Sequence, residues 1–391
     1  MKKSLEKKLK KLNVAIVTHI FATGPALDLE KYLSDRVSSL TFIGHPFSFS
    51  KDISSYKRFY FKGKLVINYK AWKVKLPNLL MYFKDAFLTF WWILRSERRI
   101  DLYIGSDGFV AYLGLLLKRM GKVREVVLYT IDFVPTRFEN FLLNRLYHYF
   151  DEQCLKNCKV IWNLSSKMAE GREEYMKVKR SAFAPQITVP LGIWEKRIPK
   201  VSFGKRKRYR IVFMGHILKK QGLDIVIDSL PAILKKLPET ELLVIGTGEY
   251  EDNLKMKVKK LQLERNVTFA GYIEKHEDIE KMLSESMVSV ATYKPDQESF
   301  TYFADPGKIK NYLAAGLPVI LTNVPPIARE IELKKCAIII GYNEREFTSS
   351  IVELLARPSK LRQYSKNAFR YAKNFDWDNI FPVALERTLS Q

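Results

Sequence analysis

A lysine placed where a helix should begin is the first residue that asks for chemistry. Residues 303–325 read FADPGKIKNYLAAGLPVILTNVP and open on Asp305-Pro306-Gly307-Lys308. The pattern predicts a short helix, stopped by Gly316 and Pro318, then a strand through Val319, Ile320, Leu321 and Thr322. Pro306 suits the first helical position and Asp305 the cap before it. Lys308 does not suit the first turn, because the partial positive charge at a helix amino end costs a cation about 0.3–1 kcal/mol. Two readings are open: a lysine that bends into solvent, or an anion held between the free amides and the ammonium.

Comparable groups recur elsewhere. In FMGHILKKQGLDIVIDSL, Gly215 ends a strand, and His216, Lys219, Lys220 and Gly222 follow before a helix. Glycine lets backbone approach a phosphate and lysine neutralises it, although an ordinary strand-to-helix turn looks the same. VIGTGEYEDNL carries Gly246 and Gly248 without the third glycine of a dinucleotide fingerprint, so it reads as a tight turn near a ligand. In the first half, His19 follows the first strand beside a loop at Gly24, Ser106-Asp107 ends another strand, and Asp132 follows VVLYT. Cys154 and Cys158 lie one helical turn apart with no histidine to complete a metal set, and read as buried thiols.

The elements that must position these groups alternate. Short β-branched runs (NVAIVT, LTFIG, DLYIG, EVVLYTID, KVIWNLS) are separated by helical periods, including an apolar helix at 79–98 and a long one at about 137–156. After a basic stretch at 186–210 the alternation resumes with RIVFMG, ELLVIG, NVTFAG, MVSVAT, PVILTN and CAIIIG. This is the pattern of an α/β protein with two doubly wound, Rossmann-like domains facing a cleft. The expected boundaries are 1–190, a linker at 191–209, 210–375, and a closing helix at 376–391 that packs back toward the first domain. Ligands in such sheets bind beyond the carboxyl ends of the strands, where the glycines cluster.

The 391 residues are 47% hydrophobic, enough for two cores, and carry a net charge of +24. That charge suits nucleic acid, a membrane surface or phosphorylated substrates. Three cysteines are too few for a disulfide framework, and no secretory signal is visible, so a cytoplasmic location is expected. Lys84 and Asp85 interrupt the most apolar stretch, which is too short to span a bilayer. No zinc pattern or aromatic RNA-binding signature supports nucleic-acid binding.

Taken in order, GHILKKQG, VIGTGE, AGYIE and DPGKIKNYLAAGLPVILTNVP resemble the carboxyl-terminal domain of retaining glycosyltransferases of the GT-B fold, family 4, also called group 1. TVPLGI at 188–193 and FDWDN at 375–379 are similar to the segments that flank that domain, and the loop ATGPALDLEKYL carries the likeness into the first half. The resemblance implies transfer of a sugar from a nucleotide-diphosphate sugar, UDP- or GDP-linked, with retained configuration and no cofactor. It places the diphosphate at the amides of Gly307 and Lys308, with Gly24, Gly215, His216, Lys220 and Gly248 around it. The base would meet Tyr272 and Ile273, and the ribose Asn311. Asp305 would contact the sugar, and Asp132 and His19 would serve the reacting centre; for Asp132 a helix cap is the other reading.

The sequence departs from the family pattern at four places. Phe303 and Asn311 stand where two glutamates are usual, His216 where a basic residue follows the glycine, and Gln221 where a lysine precedes Gly222. Asp376-Trp377-Asp378 reads as a helix junction, with no metal expected. Six lysines in the first eleven residues and the aromatic 79–98 helix fit an anionic membrane surface, and hence a saccharide or lipid-linked acceptor. A non-catalytic sugar- or nucleotide-binding homologue and a sugar-nucleotide epimerase are the alternatives within this fold.

Overall fold

The computed structural model describes residues 2–20, 24–50, 52–295, 300–303 and 305–391; Ala22 and Thr23 of the loop at Gly24 lie outside them. The chain forms two compact units, Met1–Pro190 with Trp377–Gln391, and Leu191–Asp376.

In the first unit the strands are β1 (Asn13–Ile20), β2 (Ser39–Pro46), β3 (Tyr56–Phe61), β4 (Lys64–Lys70), β5 (Ile100–Gly105), β6 (Val123–Thr130), β7 (Val160–Asn163) and β8 (Gln186–Thr188). They make one sheet in the order β4-β3-β2-β1-β5-β6-β7-β8. The part from β2 to β8 is parallel, and helices on its faces explain why β1, β2 and β5 are buried along most of their length. The antiparallel hairpin of β3 and β4 was not expected. Its signal was present: two strand-like runs, YKRFYF and KLVINYK, flank Lys62-Gly63, both with positive φ (46° and 82°), as a tight hairpin turn requires. The helices that matter here are α1 (Pro25–Leu33), α2 (Asn78–Leu94), α3 (Gly108–Arg119) and α4 (Phe141–Asn157). The Asn140 side chain caps α4 by accepting from the Leu143 amide at 3.1 Å, so Asp132 is not its cap.

The second unit holds β9 (Arg210–Met214), β10 (Glu241–Ile245), β11 (Val267–Gly271), β12 (Val288–Ala291), β13 (Val319–Thr322) and β14 (Ala337–Ile340). All pairs are parallel, in the order β11-β10-β9-β12-β13-β14. The order reverses direction between β9 and β12, the position where open α/β sheets leave a crevice. Two helices frame it, α5 (Leu223–Leu234) and α6 (Gly307–Ala314). The last helix, α7 (Trp377–Ser390), belongs to the first unit: Phe381 packs on Tyr32 of α1, and Trp162 Nε1 donates to Thr388 Oγ1 at 2.9 Å.

Residues 191–209, expected as a linker, fold with the second unit. Arg206, from the basic run, is buried, and its guanidinium donates to the carbonyls of Ala315 and Gly316 at 3.1 and 3.0 Å. These are carbonyls at the carboxyl end of α6, where a cation complements the helix dipole. Burial lowers the Arg206 pKa to about 10.

Candidate functional site

The sequence reading put Pro306 in the first turn of α6 and Asp305 before it as cap. Instead Pro306 occupies the cap position and the helix starts at Gly307, with no side-chain cap among the described residues. Asp305 is buried and turned elsewhere: one carboxylate oxygen pairs with the buried Lys310 ammonium, and the other accepts from the Leu191 amide at 2.9 Å. Each oxygen already has one partner, which gives Asp305 a role in seating α6. The Tyr312 hydroxyl seats it further, accepting from the Met214 amide at 2.7 Å and so tying the helix to the end of β9.

Lys308 lies at the switch point of this sheet. Its ammonium is 4.2 Å from the Phe213 ring centroid on β9 and 5.1 Å from that of Tyr293, just past β12. It donates to Gln221 Oε1 at 2.6 Å, and among the described residues no carboxylate lies within ion-pair distance. Burial lowers its pKa to about 7. A half-buried cation, faced by a neutral amide oxygen and two rings at the start of a helix, has the charge and the donors to receive an anion. Gly215 borders it directly, since a Cβ there would stand 3.2 Å from Lys308 Nζ.

Gln221 reaches Lys308 because Gly222 is a glycine. Gly222 has φ +70°, and a Cβ would sit 1.8 Å from the Thr292 carbonyl oxygen; the Thr292 hydroxyl donates to the Gly222 carbonyl at 2.9 Å. The turn Lys219–Gln221 is thereby clamped to the end of β12, with the Lys294 amide donating to the Lys220 carbonyl at 3.0 Å. His216 is exposed at the end of β9, and Lys220 is half-buried. Gly248 serves chain packing: a Cβ would stand 2.2 Å from the Ile217 carbonyl oxygen, where the two loops after β9 and β10 bond to each other. Tyr272 and Ile273 follow β11 at the sheet's edge, two strands and roughly 10 Å from β9. The Asn311 amide donates to the Gly307 carbonyl of its own helix at 3.1 Å.

In the first unit, His19 at the end of β1 meets Asp107 at the end of β5, also across a switch point, with Nδ1 2.7 Å from Asp107 Oδ2. Its Nε2 lies 3.5 Å from Asp85 Oδ2, and Asp85 also lies 3.3 Å from His45 Nδ1. Burial opposes charge on His19, but the charges and hydrogen bonds of Asp107 and Asp85 outweigh it and raise the pKa to about 9. His19 is thus an imidazolium at neutral pH, and the rings of Phe47, Tyr82 and Phe109 enclose it. Both nitrogens face carboxylates, Nδ1 closely and Nε2 at a distance that leaves it without a well-formed hydrogen bond. Asp107 caps α3 through the Val110 amide at 2.9 Å. Asp132 is half-buried at the end of β6 and pairs with Arg137 at 2.5 Å. Gly24 begins α1 with extended φ and nothing within 4 Å of a Cβ, so neither strain nor crowding demands glycine there. Asp85 was noted in the sequence only as an interruption. A lone carboxylate inside an apolar helix was the signal of a buried partner set.

Residues 195–371, within the second unit, match the family of glycosyl transferases group 1. An uncharacterised glycosyltransferase of Haemophilus influenzae is 24% identical over 185 residues, which is 47% of this chain and 50% of that protein. This chain therefore spans about half the length of the curated relatives it matches. Among solved structures, sucrose-phosphate synthase from Thermosynechococcus elongatus superposes with a TM-score of 0.72 at 14% identity, covering 97% of this chain and 98% of that one. Anabaena HepE in complex with UDP-glucose gives 0.64 at 14% identity, over 97% and 99%. The fold is that of GT-B glycosyltransferases.

Proposed function

We propose that this chain is a retaining, family 4-like glycosyltransferase (a hexosyl- or related transferase) that moves a sugar from a nucleotide-diphosphate donor to a saccharide or lipid-linked acceptor. One observation carries the reading: the half-buried Lys308 ammonium at the switch point has no carboxylate partner among the described residues and sits at the start of α6, where the cap residue Pro306 offers no side-chain cap. The family match over the same unit and the UDP-glucose bound to the similar HepE support a nucleotide sugar as the anion.

In this reading the donor diphosphate takes the amides of Gly307 and Lys308 and the Lys308 ammonium. Charge-assisted hydrogen bonds of this kind contribute ~1.5–3 kcal/mol each. They strengthen as the glycosidic bond breaks and charge gathers on the leaving diphosphate, which is stabilisation of the transition state without a metal or cofactor. Gly215, His216 and Lys220 line the same strand end; Tyr272 and Ile273 receive the base. In the first unit, Asp132, paired with Arg137, holds a sugar hydroxyl, and the Asp107–His19–Asp85 set stands at the ends of β1 and β5. The work belongs in the cytoplasm, at the inner face of a membrane.

A thermal-shift panel of UDP-, GDP-, ADP- and dTDP-sugars tests this. One class raises the melting temperature in proportion to ligand concentration over affinity. A blank panel favours a non-catalytic homologue, the second reading, whose supporting observation is the Asn311 amide turned back onto its own helix. Donor turnover without any acceptor would mark an epimerase instead.

A further inference from the structure

The helix α2 is apolar on two opposite sides. Met81, Leu88, Trp92 and Ile93 are buried in the first unit, together with Asp85. Leu79, Phe83, Phe87 and Trp91, every fourth residue, are exposed along the other side. Four such positions make one stripe about 18 Å long. Phe87 stacks on Trp91, and the Arg95 guanidinium lies 3.7 Å from the Trp91 ring centroid. The first turn of α4 adds exposed Phe141 and Leu142, and both helices pack against α3. Proteins in water seldom expose large aromatic side chains in such a row unless something covers them.

Charge selects the cover. Residues 73–99 hold six cations and two acids; Lys84 and Asp85 pair with each other at 3.1 Å, which leaves Lys73, Lys75, Arg95, Arg98 and Arg99 against Glu97. The whole chain carries +24, so a second copy would bring like charge to the contact. We propose that the exposed stripe of α2, with the first turn of α4, docks onto an anionic lipid bilayer, the rings entering the headgroup region and the cations meeting lipid phosphates.

The docking has a direction. The first turns of α2 and α4 stand at the carboxyl edge of the sheet, where Tyr82 meets the His19 ring at 5.5 Å and Asp132 ends β6. A lipid-linked acceptor would reach that edge from the bilayer without leaving it. This last step rests on the transferase reading; the docking itself does not.

The experiment is co-sedimentation of the full chain with vesicles of phosphatidylcholine alone or with 30% phosphatidylglycerol, a composition giving an anionic surface of roughly physiological strength. Wild type binds the anionic vesicles, less so as salt rises, and binds the neutral ones at least tenfold more weakly. Phe83→Ser/Phe87→Ser/Trp91→Ser lowers binding at least tenfold while the melting temperature and nucleotide binding stay unchanged. Equal binding by the variant, equal binding to both vesicle types, or no binding by wild type overturns the proposal. So does a wild-type dimer in solution that the variant turns into a monomer. Vesicle binding without nucleotide binding would sink the donor reading alone, and the converse would sink only the docking.

Discussion

Lys308 stands where a lysine is costly, and its pKa, lowered by burial to about 7, states the cost as a protonation equilibrium. A bound diphosphate favours the ammonium, so binding is linked to a proton. Below pH 7 the residue is already charged and affinity is flat; above pH 7 affinity falls, by up to tenfold per unit. Calorimetry near pH 8 in buffers of different ionisation heat should report uptake of about one proton per nucleotide bound, and no uptake would place the anion elsewhere. Asp305 tests the site from the other side. Asp305→Ala leaves the Lys310 ammonium buried without its partner and should destabilise the second unit by about 3–5 kcal/mol in denaturant titrations. Asp305→Ala/Lys310→Met should recover most of that loss and keep sugar transfer. A stable double variant with no transfer would return Asp305 to the sugar.

At the scale of elements, α6 is the part on which the site depends. Tyr312 and Lys310, which pairs with Asp305, tether it, and Arg206 closes its carboxyl end. Arg206→Ala strands two carbonyls at that end and should lower stability on the order of 3 kcal/mol, read by urea unfolding of the full chain. An unchanged midpoint would mean the segment before β9 is a linker after all. The helix and the strand after it were legible in the sequence because Gly316 and Pro318 punctuate them. The start was not. Proline fits either the cap or the first turn, and Asp305, paired with Lys310 five residues on, is not free to cap. The role of 191–209 was hidden for a related reason: a basic run looks solvated until a distant helix end supplies its acceptors. On α2 the sequence showed apolar residues all round and a single carboxylate, but not which side the sheet would take.

For the whole molecule, the alternation of strands and helices carried the two Rossmann-like units, because the period of the pattern reports burial on both sheet faces. The β3-β4 edge escaped it, since an antiparallel hairpin obeys a different rule. The match to group 1 glycosyl transferases and the superposition on GT-B structures rest on the same skeleton. What the skeleton does depends on the anion site. Isothermal titration of the donor nucleotide into wild type and Lys308→Ala, at pH 6.5 where the lysine is charged, tests that most directly. Wild type should bind, and Lys308→Ala should lose at least tenfold in affinity while unfolding at the same urea concentration or higher. Equal affinity in the two proteins, or no binding of UDP, GDP, ADP or dTDP to wild type, would contradict it.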